Sequence, residues 1–89
     1  MKERKVTIKL RSGLHARPAA EIVKKTTRFQ SKITIQKDDV EVDGKSVFGL
    51  MMLGATYKTN LLVTVDGSDE EEAMDTLSDL FDNILNEKE

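Results

Sequence analysis

Residues 6–28, VTIKLRSGLHARPAAEIVKKTTR, change their apolar period midway, and that change decides the fold. Val6, Ile8 and Leu10 alternate with Thr7 and Lys9, the two-residue period of a strand with one buried face. Ser12-Gly13 interrupts the alternation. Beyond it the spacing becomes three or four: Ala16, Ala19, Ala20, Val23 and Thr27 mark a helical stripe running to about Arg28, with Ile22 beside it. Pro18 suits the first helical turn, where a missing N–H breaks no bond. Lys24, Lys25 and Arg28 fall near the helix end, where cations complement the dipole.

The same two periods recur along the chain. Ile33 and Ile35 predict a second strand, Asp38-Asp39 a turn, and Val40 and Val42 a third strand. After the turn Asp43-Gly44-Lys45, Ser46 can cap a short apolar helix from Val47 to about Leu53 that stops at Gly54. Leu61, Val63 and Val65 alternate as a fourth strand ending at Asp66-Gly67. Ser68 with Glu71, or Asp69 with Glu72, has capping-box spacing. Ala73, Leu77, Leu80, Phe81 and Ile84 then continue a helical stripe toward the C-terminus. The order is β-α-β-β-α-β-α. Strands with one apolar face need helices on that face only, so the expected fold is α+β, an open-faced β-sandwich in a single domain over residues 1–89.

Composition removes several classes of function. The 89 residues contain no cysteine and one histidine. Disulfides, thiolate metal sites and cysteine nucleophiles are excluded, and a zinc cluster would have to be built from carboxylates. No apolar stretch approaches the roughly 20 residues that span a bilayer. The charged start Met1-Lys2-Glu3-Arg4-Lys5 has no signal-peptide apolar core behind it, which favours the cytoplasm. Charge is divided along the chain: residues 1–37 hold eleven of the 14 Lys and Arg but two of the 16 Asp and Glu. A basic half can attract a nucleic acid, an anionic ligand or an acidic protein surface, and charge alone does not choose among them. The aromatics are Phe29, Phe48, Phe81 and Tyr57, with no pair on one strand, so the base-stacking platform of a nucleic-acid binder is missing.

The densest unusual stretch is Gly13-Leu14-His15-Ala16-Arg17-Pro18-Ala19, at a junction of strand and helix. The first N–H groups of a helix, Ala16 onward, lack internal partners and form a natural anion site. Arg17 adds a forked cation suited to phosphate oxygens. His15 stands in front of both. A histidine in water is mostly neutral at pH 7 and nucleophilic. Such an imidazole can attack phosphorus in line while the helix amides and Arg17 hold the oxygens. A nitrogen-bound phosphoryl leaves readily, which suits onward transfer. The same residues also fit a plain anion-binding nest, and a lone histidine at a helix start also fits a surface or capping role.

The stretch from Gly13 to Ala19 resembles the signature of HPr, the histidine-containing phosphocarrier family of the sugar phosphotransferase system. The resemblance covers essentially the whole chain. A second run, Lys45-Ser46-Val47-Phe48-Gly49-Leu50-Met51-Met52-Leu53-Gly54, is similar to that family's second signature. The resemblance implies an antiparallel sheet of strand order 1-4-2-3. It implies that His15 receives a phosphoryl group at Nδ1 from enzyme I, charged by phosphoenolpyruvate, and passes it to sugar-specific IIA domains, with Arg17 assisting. Partners would dock on the first two helices. That gives Arg11, Arg17, Lys24 and Arg28 a role in attracting acidic surfaces, and Val47, Phe48 and Met51 a role as an apolar patch beside Ser46.

For Ser46 the resemblance adds phosphorylation by the ATP-dependent HPr kinase/phosphorylase, and docking to a catabolite-control transcription regulator. Phe48, Met52 and Gly44 depart from the commonest family pattern. No cofactor or metal is expected, and the carrier is expected to be a monomer without direct contact to nucleic acid or membrane. Two related readings stand beside this one. One is a regulatory protein of the same fold that acts by docking alone; the other is a carrier in a nitrogen-related branch.

Overall fold

The computed structural model describes the backbone of residues 1–84 and side chains through Asp82. The expected Ile84 contact and the chain beyond it lie outside the described residues. The elements are β1 (Lys2–Thr7), α1 (Ala16–Thr26), β2 (Lys32–Lys37), β3 (Val40–Asp43), α2 (Val47–Met52), β4 (Asn60–Asp66) and α3 (Glu70–Asp79). A π-helical turn, Leu80–Ile84, extends α3. The four strands pair antiparallel throughout in the order β1-β4-β2-β3. Both the element order and the expected strand order are present.

The core follows the alternation. Leu61, Val63 and Val65 of β4 and Ile33 and Ile35 of β2 are buried on one face, where the helices lie. Ile35 sits opposite Val63, and Ile33 opposite Val65. Glu3, Lys5, Thr34, Gln36 and Thr64 have the other parity and take the open face. Val40 keeps the parity of Val42 yet is 51% exposed, because it sits at the hairpin end of an edge strand.

Four expectations require adjustment. The first strand begins and ends earlier than the alternation Val6-Ile8-Leu10 suggests, because charged residues occupy its inward positions beyond the core. Lys2 pairs with Glu71 of α3 at 3.3 Å and Arg4 with Asp82 at 2.8 Å. Ile8 and Leu10 are buried as expected but outside β1; Ile8 exchanges backbone bonds with Thr59 and Lys58 instead. The buried side of α1 is rotated from the expected stripe. It comprises Pro18, Ala19, Ile22 and Thr26, while Ala16, Ala20 and Thr27 are exposed. Ile22 has far more apolar area to bury than an alanine and sets the rotation. Thr26 joins it because its hydroxyl donates to Gly44 O at 2.8 Å.

The third adjustment concerns the start of α3. Asp69 holds the N-cap position without a side-chain cap bond. Its carboxylate instead accepts the Gln30 N–H at 2.8 Å, the Ser31 N–H at 3.0 Å and the Ser31 hydroxyl. Neither expected capping box forms. Glu70 reaches back to the Gly67 N–H at 3.1 Å. Asp69 thus clasps the turn between α1 and β2 across 38 residues of sequence. Fourth, α3 gives way to a π turn after Asp79, a widening that accompanies burial of both Leu80 and Phe81. Met74, outside the expected stripe, is buried as well.

Gly44 is buried where the β3–α2 turn crosses β2. Its N–H donates to Ile33 O at 2.8 Å, and a Cβ would lie 2.5 Å from Ile33 Cγ2 and 3.2 Å from Ile33 O. A β-branched side chain in a strand cannot swing away. Gly44→Ala is therefore expected to destabilise the fold by about 1–3 kcal/mol, read as a lower urea midpoint at unchanged slope.

Three donated bonds, led by that from the Ser31 hydroxyl, hold the Asp69 carboxyl below its usual range. A lowered folded-state value means that this stabilisation is complete above the ordinary carboxylate range and is lost as pH falls through and below it. Unfolding free energy measured from pH 6 down to pH 2 is expected to fall less steeply in Asp69→Asn than in the parent. Identical slopes would show that the clasp does not depend on ionisation.

Candidate functional site

The turn before α1 is built by a tight backbone contact. Gly13 donates to Leu10 O at 3.0 Å, and Leu14 donates to Ala55 O at 2.9 Å. Gly13 has φ +79°, and a Cβ there would meet Ala55 O at 2.8 Å. Only glycine combines that dihedral with that approach. Leu14 then turns into the core, 5% exposed, and His15 is left on the surface. The chain re-enters the core at Pro18 and Ala19. His15 is thus held between two buried anchors.

His15 is the N-cap of α1, with extended backbone at φ −93° and ψ −167°. Its carbonyl accepts the Ala19 N–H at 3.0 Å, the first bond of the helix. Its side chain makes no capping bond. Among the described residues the imidazole has no hydrogen-bond partner, and the amides of Ala16 and Arg17 remain without helical partners. Pro18 has no N–H to offer. Arg17 is exposed in the same first turn, and no described carboxylate lies within ion-pair distance of it. An imidazole, two amides and a guanidinium thus share one exposed helix start with a favourable dipole. The arrangement can receive an anion.

Arg17 and Lys24 lie seven residues apart on α1, two turns on one face, about 10 Å along the axis. Both are exposed, as is Arg28 just past the helix end. The structure therefore places these three along one basic edge beginning at His15. Arg11 is exposed too but belongs to the segment before the turn.

At α2, Ser46 is the N-cap as expected, its Oγ accepting the Gly49 N–H at 3.0 Å. Phe48 is 74% exposed and Met51 44%. Val47, expected in the same patch, is partly buried and packs against the core. Leu50 takes the inward position and is fully buried. Lys37 Nζ reaches the carbonyls of Leu53 and Gly54, 3.3 Å from each, and so steadies the end of α2. The chain then runs straight to Ala55, which holds the His15 turn.

Sequence reasoning overlooked Met52, 63% exposed beside Phe48, and the loop that follows α2. In that loop Tyr57 is half-exposed and carries Arg11 and Lys58 against its ring, 5.7 Å and 5.5 Å from the centroid. The available signal was an aromatic next to a lysine between Gly54 and a strand. The contact with Arg11, 46 positions away, has no local trace.

A family model described as "PTS HPr component phosphorylation site" matches residues 2–83. The phosphocarrier protein HPr of Xylella fastidiosa is 42% identical over 87 residues, covering 98% of each chain. The HPr-like protein Crh of Halalkalibacterium halodurans is 44% identical over 77 residues, covering 86% of this chain and 92% of that one. A crystal structure of HPr from Thermoanaerobacter tengcongensis superposes with a TM-score of 0.91 at 41% identity, covering 96% of both chains. With the HPr signature lying on the exposed helix start and the whole sheet topology shared, the chain belongs to the HPr family of phosphocarrier proteins of the phosphotransferase system.

Proposed function

We propose that His15 carries the phosphoryl group, accepting it from phospho-enzyme I and donating it to sugar-specific IIA domains. The observation that carries this reading is an exposed imidazole at the N-cap of α1 that forms no cap of its own. In the transfer, the bond between phosphorus and the donor breaks as a bond to His15 Nδ1 forms, with the two roughly in line. The attacking electron pair is the ring-nitrogen lone pair. The Ala16 and Arg17 amides and the Arg17 guanidinium offset charge on the phosphoryl oxygens. The second transfer runs the same geometry in reverse. Positioning and charge dominate such reactions, and each partner contributes the other half of the site, so the carrier needs no cofactor of its own.

The basic edge Arg17, Lys24 and Arg28, together with Arg11, would steer acidic partner surfaces toward His15. Phe48 and Met51, with Val47 beneath, would supply apolar contact next to it. Ser46 is the regulatory residue in this reading. A kinase-added phosphate brings about −1.5 to −2 charges to the start of α2, where the helix end accepts them. Its effect would be to repel an acidic partner and slow the loading of His15, and to offer a docking point for a catabolite-control regulator. We place the chain in the cytoplasm as a single monomeric domain; no described helix is long and apolar enough to cross a membrane.

The similarity to Crh favours a second reading, regulation by docking alone. An exposed histidine at the helix start favours the carrier.

With phosphoenolpyruvate and enzyme I, the protein is expected to gain one acid-labile, alkali-stable phosphoryl, absent from His15→Ala. Label retained in that variant would mean another residue accepts the group; no label on the parent would favour the docking reading. Arg17→Gln is expected to lower the transfer rate by roughly ten-fold or more, in line with losing a charge that stabilises the transition state. With the kinase and ATP, an acid-stable phosphate should appear and be lost in Ser46→Ala, a variant that also costs about 1 kcal/mol as a missing cap.

A further inference from the structure

The loop between α2 and β4 is unusually well held for a surface turn. Leu14 N–H bonds to Ala55 O at 2.9 Å on one side of Tyr57, and Lys58 N–H bonds to Ile8 O at 2.7 Å on the other. Thr56 and Thr59 close the loop on themselves, with the Thr59 hydroxyl accepting the Thr56 N–H at 3.0 Å. Lys58 adopts φ +71°, a left-handed conformation that a lysine takes at some cost. The result is a fixed platform beside the Gly13 turn: a Cβ on Gly13 would lie 3.3 Å from Thr56 Cα, one residue from Tyr57.

On this platform two cations converge on one ring. The Arg11 guanidinium and the Lys58 ammonium both lie within the roughly 6 Å over which an aromatic face attracts a cation. Neither has a carboxylate within ion-pair distance among the described residues. Like charges gathered in this way repel one another, and the ring quadrupole offsets that repulsion only in part. A carboxylate bound to either cation would lower the positive charge gathered at the ring. Two long side chains that would otherwise sample many rotamers are already ordered, so an incoming carboxylate pays less of that entropy.

We infer that Tyr57 is a positioning residue that holds Arg11 and Lys58 ready for an acidic surface of the phosphoryl-donating partner. It extends the recognition area of the His15 site to the loop packed against the Gly13 turn. The inference rests on the phosphocarrier reading of His15. Tyr57 touches no reacting atom in this role. Its contribution is to encounter and binding, because charges at the rim of an interface act mainly on association and its salt dependence.

The test is the steady-state rate of phosphoryl transfer from phospho-enzyme I with this protein as the varied substrate. Tyr57→Leu is expected to raise KM about two- to five-fold at low salt with kcat unchanged, the scale of an exposed cation–aromatic contact. The increase should shrink as salt is raised. Tyr57→Phe keeps the ring and should restore the parental KM. In an Arg11→Gln/Lys58→Asn background, where asparagine tolerates the left-handed backbone, Tyr57→Leu should have no further effect.

An unchanged KM in Tyr57→Leu overturns the inference, as does an equal rise in the neutral background or a loss confined to kcat. A KM in Tyr57→Phe as high as in Tyr57→Leu overturns it too, assigning the role to the phenol. If the parent accepts no phosphoryl at all, the phosphocarrier reading fails and takes this inference with it.

Discussion

The approach of Gly13 and Leu14 to Ala55 sets the rest of the functional end of the molecule. One bond of 2.9 Å joins the turn before α1 to the loop after α2, and it forms only because no side chain stands at position 13. From that contact Leu14 enters the core, His15 is turned outward, and α1 begins with its amides uncovered. The same contact brings the exposed end of α2 alongside. Without it the turn that carries the imidazole would not be fixed against the loop that follows α2.

Polar contacts over long sequence separations hold the periphery, and apolar burial holds the centre. Asp69 clasps Gln30 and Ser31, and Lys45 Nζ reaches Phe29 O at 2.7 Å. Lys37 secures the end of α2, and Lys2 and Arg4 reach α3. These contacts give the charged residues at strand ends somewhere to go, so the sheet can be short and still present a complete apolar face. Charge of opposite sign is concentrated on different helices. The exposed side of α1 is basic, while α3 carries Glu70, Glu71 and Glu72 in its first turn, where acids complement the dipole. The two charges meet where Lys25 and Arg28 line one cavity with Asp69 and Glu72.

Much of this was legible from period and spacing. The alternation of Leu61, Val63 and Val65 and the spacing of Ala73, Leu77 and Leu80 report elements whose one buried face repeats at a fixed interval. Ser46 was legible as a cap because capping is local: its hydroxyl bonds three residues on. The start of β1 was not legible, because Lys2 and Arg4 sit inward and the alternation carries no hydrophobic signal there. The capping box at Asp69 failed for a related reason. A carboxylate can satisfy a nearby amide or a distant one, and spacing reveals only the nearby choice. The face of α1 was misjudged because small alanines and Ile22 count equally in a pattern but not in buried area.

By itself, the sequence determined which residues could do the chemistry and that they begin a helix: glycine for the turn, histidine and arginine at its head, serine at the next cap. Those assignments depend on neighbours a few positions apart. Tertiary structure alone decided which of them face outward and what stands beside them. The pairing of Arg11 and Lys58 on Tyr57, the contact of Gly13 with Ala55 and the exposure of Met52 all arise where distant segments meet. Such meetings are governed by packing of the whole core, and no local period records them.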